Sequence, residues 1–197
     1  MSKASETRFN ILQKAFELIY VKGYQATSID DIIANTKVTK GAFFYHFKNK
    51  EEMGLAVINE IMFPLSNEKS FTSLEQSTNP VRDIYGLIKY LLLDHPFIQM
   101  KYGCPAANLT QEMSPINDDF SIALAKLVSR WHKAIEANIN SGKKAGMIKS
   151  NTSGQQVAYF VMSGYWGIRN FGKLQSNEDC YIFYLKELKK YLKTLEQ

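Results

Sequence analysis

Apolar side chains recur at intervals of three and four along almost the whole chain, and no stretch of strand length alternates strictly between apolar and polar. That periodicity lays one face of each successive segment against a common interior, and it predicts an all-α fold of about nine helices. The first helix carries Leu12, Phe16 and Ile19 on one face and stops at Gly23, a residue suited to a helix end. Thr27 and Ser28 offer capping oxygens to a second helix that runs to about Asn35, with Asp30 and Asp31 at its positive end. After a break at Thr36, Lys37 and Val38, Thr39 caps a third helix through Phe47, and Asn49 with Glu52 three places on opens a fourth. Two helices of roughly two turns, joined by about four residues and braced by a longer first one, have the outline of a helix-turn-helix. Residues 1–49 are therefore expected to form that domain, packed on a larger helical body at 50–197.

The body begins with the helix from Asn49 to Phe63, where Pro64 should interrupt it, and continues through a polar stretch, Ser66 to Thr78, that reads as a loop. Asn79 caps a helix with Pro80 at its first position, ending near Asp94 before Pro96. Gly103, Pro105 and Pro115 bracket a short helix around Ala106 to Met113. A long one then carries Leu124, Val128, Trp131, Ile135 and Ile139 as a stripe. Val157, Val161, Gly164, Ile168 and Phe171 stripe the next, and Tyr181, Tyr184, Leu188, Tyr191 and Leu195 the last. Tyr159, Phe160 and Trp166 on the first of this pair, and Ile182, Phe183, Leu185 and Leu192 on the second, fall off those stripes. Two faces thus need cover, and a second copy supplies it most simply, as an isologous homodimer with a four-helix interface. A wholly intramolecular core is the alternative.

Composition narrows the function. With 45% apolar and 22% charged residues among 197, the chain is neither disordered nor fibrous. No apolar run reaches the length of a spanning helix and no secretion signal opens the chain, which predicts a soluble cytoplasmic protein with no membrane partner. Cys104 and Cys180 stand far apart, and His46, His95 and His132 lie on separate segments, so no metal and no cofactor is expected. Neither a nucleophile elbow nor a phosphate-cradling glycine loop is present, and the chain is expected not to be an enzyme. An enzyme with Cys104 as nucleophile is the rival from that class. The net charge of +5 is compatible with a polyanion partner. From Ile32 to Lys50 there are Lys37, Lys40, Lys48 and Lys50 and no acid, although a solvated lysine face would read the same way.

The segments Thr27-Ser28-Ile29-Asp30-Asp31-Ile32-Ile33-Ala34 and Val38-Thr39-Lys40-Gly41-Ala42-Phe43-Phe44-Tyr45-His46-Phe47-Lys48-Asn49-Lys50 closely resemble the N-terminal region of TetR/AcrR transcriptional regulators, a likeness that spans about Arg8 to Ala56. The resemblance implies an all-helical homodimeric repressor whose helix-turn-helix binds a palindromic double-stranded DNA operator, with a C-terminal domain that binds a small-molecule inducer. Thr39 and Lys40 project from the start of the third helix, and Gly41 leaves it bare where backbone and groove come close. Thr39, Ala42 and Tyr45 are the candidates for groove contact. Tyr45, His46, Lys48 and Lys50 are placed for phosphates, and Thr27, Ser28 and Lys37 complete the candidate DNA-binding set. Phe43 and Phe47 read as core anchors beneath the helix. Several positions depart from the family pattern. Lys37 stands where the turn usually has glycine, implying a left-handed lysine or an altered turn. Ile33 and Thr36 replace small alanines. Phe44 takes the place of a phosphate-contacting tyrosine, a contact that can pass to Tyr45.

In such an architecture an inducer acts only if it prefers the conformation whose recognition helices are wrongly spaced. Helix four is the natural lever. Tyr85, Tyr90, Phe97, Tyr102, Phe120, Trp131, Tyr165 and Trp166 are candidates to line an apolar cavity, with Glu112 or Arg169 as polar anchors, although each taken alone reads first as core packing. The stretch Gly103-Cys104-Pro105 onward is similar to a Gly-Cys segment in a subset of these regulators, some of which sense electrophiles or oxidants. Cys104 is therefore also a candidate thiol switch, aided by Lys173 if the two meet, or else an inert buried cysteine. A protein that coats DNA without sequence preference is the third reading.

Overall fold

A computed structural model of the protein describes residues 2–65, 74 and 79–197. Among the described residues nine helices follow in order. They are α1 (Lys3–Lys22), α2 (Ile29–Ala34), α3 (Lys40–His46), α4 (Lys50–Ala56), α5 (Pro80–Lys89), α6 (Pro105–Met113), α7 (Asp118–Lys144), α8 (Gly154–Gly172) and α9 (Asp179–Lys193). A π-helical turn, Val57–Met62, and a last α turn, Phe63–Leu65, prolong α4, and a second π turn, Tyr90–Asp94, prolongs α5. A 3-10 turn at Met100–Tyr102 and a lone bridge between Ile148 and Glu196 complete the described elements. The loop expected from Ser66 to Thr78 lies outside the described residues except for Leu74, which is buried.

The caps fall where side-chain chemistry puts them. Ser28, Thr39, Asn49, Asn79 and Ser153 each accept a backbone N–H in the first turn of the helix they precede, satisfying donors that have no partner inside the helix. Gly23 closes α1 at φ 91°, where a side chain would be strained. Pro64 does not stop its helix at Phe63 as expected. A proline ring clashes with the carbonyl four residues back, and the widened π turn immediately upstream, in which the Phe63 N–H bonds Ile58 O, relieves that crowding so that the helix reaches Leu65.

The chain forms two compact units. One holds residues 2–65 and 105–127, the other 74, 79–104 and 128–197. In the first, Ile11, Leu12, Ile32, Phe43, Phe47, Met53 and Ile58 are at most 1% exposed, each large apolar side chain contributing about 1.5–3 kcal/mol by leaving water. In the second, Ile84, Ile88, Ile135, Ile139, Val157, Val161 and Tyr181 form the centre. The phase of α9 differs from the expected stripe. Leu185 and Leu192 join Tyr181 and Leu188 in the core, whereas Tyr184, Tyr191 and Leu195 flank it. Phe171, expected in the α8 stripe, is exposed. The core is filled by the i, i+4, i+7, i+11 row of α9 (181, 185, 188, 192), and a helix with apolar residues on two faces does not reveal by spacing alone which row is inside.

Candidate nucleic-acid interface

The first unit presents α3 on a framework of caps and ties. Ser28 and Asp31 cap α2 reciprocally, Asp31 N to Ser28 Oγ at 3.0 Å and Ser28 N to Asp31 Oδ2 at 2.9 Å. Hydrogen bonds from the Ser28 backbone and hydroxyl hold the Asp31 carboxyl below its ordinary range. Between α2 and α3, no residue other than glycine has a positive φ among the described residues. Lys37 is therefore not left-handed, and of the two possibilities the altered turn is present. It is closed by side chains: Asn35 Nδ2 donates to Asp31 O at 2.9 Å, and Thr36 Oγ1 to Ile33 O at 3.1 Å. These take up carbonyls that a glycine cap otherwise serves.

Thr39 spends its hydroxyl on the Ala42 N–H at 3.2 Å, fixing the first turn of α3. Phe43 is fully buried, its ring 5.7 Å from that of the buried Phe47. The outer side carries Tyr45, 78% exposed, Phe44, 45% exposed, and the exposed Lys40 and Gly41. Lys37 and Lys48 are exposed as well, Ala42 and His46 half-buried. Lys40 Nζ lies 3.2 Å from Asp30 Oδ1, an exposed pair of little strength that leaves the ammonium available. Gly41 is informative because nothing within the protein requires it. A Cβ there would meet only Thr39 Oγ1 at 3.9 Å. Gly41→Ala is expected to leave the fold intact and raise its stability by up to about 1 kcal/mol, while weakening duplex binding. Thermal unfolding beside a gel-shift titration checks both.

Two of the expected DNA contacts, Thr27 and Lys50, and two of the expected ligand contacts, Glu112 and Phe120, are placed differently. Thr27 is 0% exposed and donates its hydroxyl to Gly23 O at 2.7 Å, so it closes the α1–α2 turn and does not face outward. Lys50 turns inward, its Nζ 3.1 Å from Gln25 O and 4.4 Å from the Tyr24 ring centre. Burial lowers its pKa, opposed by the charge of Glu112. Glu112, expected as a ligand anchor, is a brace in the first unit: its two oxygens accept the backbone N–H of Gln25 at 2.7 Å and of Tyr24 at 2.9 Å. Phe120, expected in the cavity, packs edge-on to Tyr24 at 4.9 Å in the same unit, close over Gly54. Glu112→Gln removes one acceptor, and the amide left bare is expected to cost about 1–3 kcal/mol, seen as a lower urea midpoint and faster hydrogen exchange at Tyr24 or Gln25.

Arg8 is a tie that periodicity did not reveal. Its guanidinium pairs with both Glu60 oxygens, donates to His46 O at 3.0 Å and lies 4.3 Å from the Phe47 ring centre. Its pKa is raised, chiefly by the hydrogen bond to Glu60. It thereby fastens the end of α3 to α1 and α4.

In the second unit some of the expected cavity residues meet. Trp131 stands edge-on to Tyr165 at 5.1 Å, and Arg169 approaches the Tyr165 ring centre at 5.8 Å. Tyr165 is itself pushed well above its ordinary pKa by burial, and Cys104 adds to that shift. Tyr85 lies under Lys189 at 5.6 Å and Tyr90 against His95 at 5.3 Å. Tyr102 and Trp166 are half-buried. The Lys173 side chain lies over Gly103, which adopts φ 74° beside Cys104. The thiol-switch expectation is nevertheless not supported: Cys104 is 6% exposed, and sensor cysteines are solvent-accessible. Among the described residues no group of three or more potential ligands could hold a metal ion, and no helix is long and apolar enough to cross a membrane.

A short helix presented tip-first after a tight turn, on a capped three-helix frame, defines a helix-turn-helix DNA-binding regulator. The chain belongs to the TetR family. The sequence model described as bacterial regulatory proteins, tetR family, matches residues 11–57, and that described as tetracyclin repressor-like, C-terminal domain, matches residues 92–184. An HTH-type transcriptional regulator from the lacX 3′ region of Lactococcus lactis subsp. lactis is 34% identical over 135 residues, 68% of this chain and 69% of that one. The HTH-type transcriptional repressor DhaR of Mycobacterium sp. (strain GP1) is 26% identical over 174 residues, 87% of this chain and 85% of its own. The crystal structure of a TetR-family regulator from Cytophaga hutchinsonii superposes with a TM-score of 0.87 at 21% identity, covering 100% of this chain and 98% of that one. The family is one of transcriptional regulators and not of enzymes.

Proposed function

We propose that the protein is a cytoplasmic, ligand-responsive repressor that binds a palindromic operator as a homodimer through α8 and α9 and is released by a small-molecule inducer. The observation that carries the DNA-binding half is the bare outer tip of α3, where a side chain at Gly41 would meet nothing closer than Thr39 Oγ1 at 3.9 Å and Tyr45 stands in solvent. The dimer rests on the apolar row Tyr159, Phe160, Phe171, Leu174, Ile182 and Phe183, all between 41% and 81% exposed in the single chain. An exposed apolar surface of this kind, on two neighbouring helices and, at Leu174, on the turn after the first, marks an interaction surface. Repression is supported by the name of the DhaR relative. Residues 1–49 serve as the reading head and 50–197 as the sensing and pairing body.

Selection of bound fragments from the source organism's genomic DNA with the purified protein tests this. The expected product is an inverted repeat whose half-sites lie about 34–36 Å apart or slightly more, as two major-groove entries on one face require. Binding of every duplex alike, with no advantage for any fragment as salt rises, would show a DNA-coating protein instead.

A further inference from the structure

α8 carries a guanidinium into the centre of the second unit, where no group of opposite charge among the described residues meets it. Arg169 is 1% exposed. One terminal nitrogen donates to the Leu91 carbonyl, offered by the π turn Tyr90–Asp94, and the other to Tyr181 Oη at 3.3 Å. Its Nε is also shut off from solvent and has no hydrogen-bond partner among the described residues. No ion pair among the described residues includes it. Burial pushes the Tyr165 and Tyr181 phenols above their ordinary pKa, so near neutral pH they supply dipoles and no counter-charge.

A buried cation satisfied only by neutral groups is strongly unfavourable against an apolar side chain of similar volume, and an open donor deepens the penalty. Packing alone gives no reason for arginine at this position. We propose that Arg169 is the seat of a small organic carboxylate, which accepts from the open Nε and supplies the missing negative charge. Guanidinium and carboxylate are matched in shape as well as charge. The Trp131 and Tyr165 rings suit an apolar or aromatic body on that acid. This deepens the ligand-responsive reading and rests on it.

The test uses the full-length protein, with thermal unfolding and titration calorimetry against benzoate, propionate and acetate, each beside its neutral amide, and against inorganic phosphate. At least one carboxylate is expected to raise the melting temperature in a concentration-dependent way while its amide does not. Arg169→Met is expected to weaken that carboxylate about ten- to hundredfold, and Arg169→Lys to restore part of the loss. Equal binding of acid and amide, unchanged binding to Arg169→Met, a response to phosphate alone, or no response to any of the three acids would each overturn the proposal. The acid-to-amide comparison needs no variant and stands if Arg169→Met does not fold. Retention of the selected operator, measured in parallel, separates the two levels. An operator held while all three acids are inert removes the carboxylate and keeps the regulator, whereas a bound acid with no operator found removes the regulator and keeps the site.

Discussion

Replacing Phe160 and Phe183 by glutamate is expected to give a folded monomer that has lost operator binding. The rings are 53% and 63% exposed in the single chain, so their removal opens little cavity within it. Phe160 also packs against Tyr191 of the same chain at 4.2 Å. In a two-fold interface each substitution counts twice. At about 1.5–3 kcal/mol for a phenylalanine taken wholly out of water, the four rings, each already about half covered within its own chain, account for about 3–7 kcal/mol of association, before adding the desolvation of four carboxylates. That is of the size that separates a nanomolar dimer from a micromolar one, about 4 kcal/mol. Light scattering after size-exclusion reads the mass, and operator titration reads the lost avidity, expected to fall at least about a hundredfold because two half-sites are no longer bound as a unit. A dimer that survives the double substitution would place the pairing surface elsewhere.

Phe43→Ala is expected to have the largest effect on the reading head. The side chain is fully buried beside the rings of Phe44, at 5.4 Å, and Phe47, at 5.7 Å, and it is the one residue of α3 itself that is buried. Truncation to alanine at such a site costs about 3–5 kcal/mol, a large part of the stability of any small unit. Loss of amide protection in α1 to α3 should accompany loss of DNA binding. Tyr45→Ala is the contrast: with its side chain 78% exposed it should leave the urea midpoint unchanged and still reduce duplex affinity. Equal destabilisation by the two would mean that Tyr45 is part of the core and not of the outer surface.

What the sequence made legible was local. Ser28, Thr39, Asn49 and Asn79 cap the helices they precede because the acceptor and the amide it serves are three residues apart. The helix-turn-helix was likewise recognisable, being a matter of spacing within a few turns. What stayed hidden depended on partners remote in the chain or on the choice between two apolar rows. Arg8 finds Glu60 across 52 positions, and no periodicity announces it. Lys50 has an obvious use at a helix start near DNA, yet the Gln25 carbonyl and the Tyr24 ring draw it inward. Leu185 and Leu192 lie in the core although their spacing sets them off the expected stripe, because α9 is apolar on both sides. Arg169 was recognisable as a polar residue within an apolar helix, but its lack of a counter-charge appears only when its neighbours are known.

The brace from Glu112 has an implication for kinship and for engineering. Two amides at the α1–α2 corner are held by a carboxylate 87 and 88 positions downstream, on α6. The operator-reading part is therefore not a cassette that can be lifted out by cutting after the third helix. A chimera joined there inherits two bare amides unless its new host carries an acid at the matching place, so recombination among relatives should favour exchanges that move α6 together with the head.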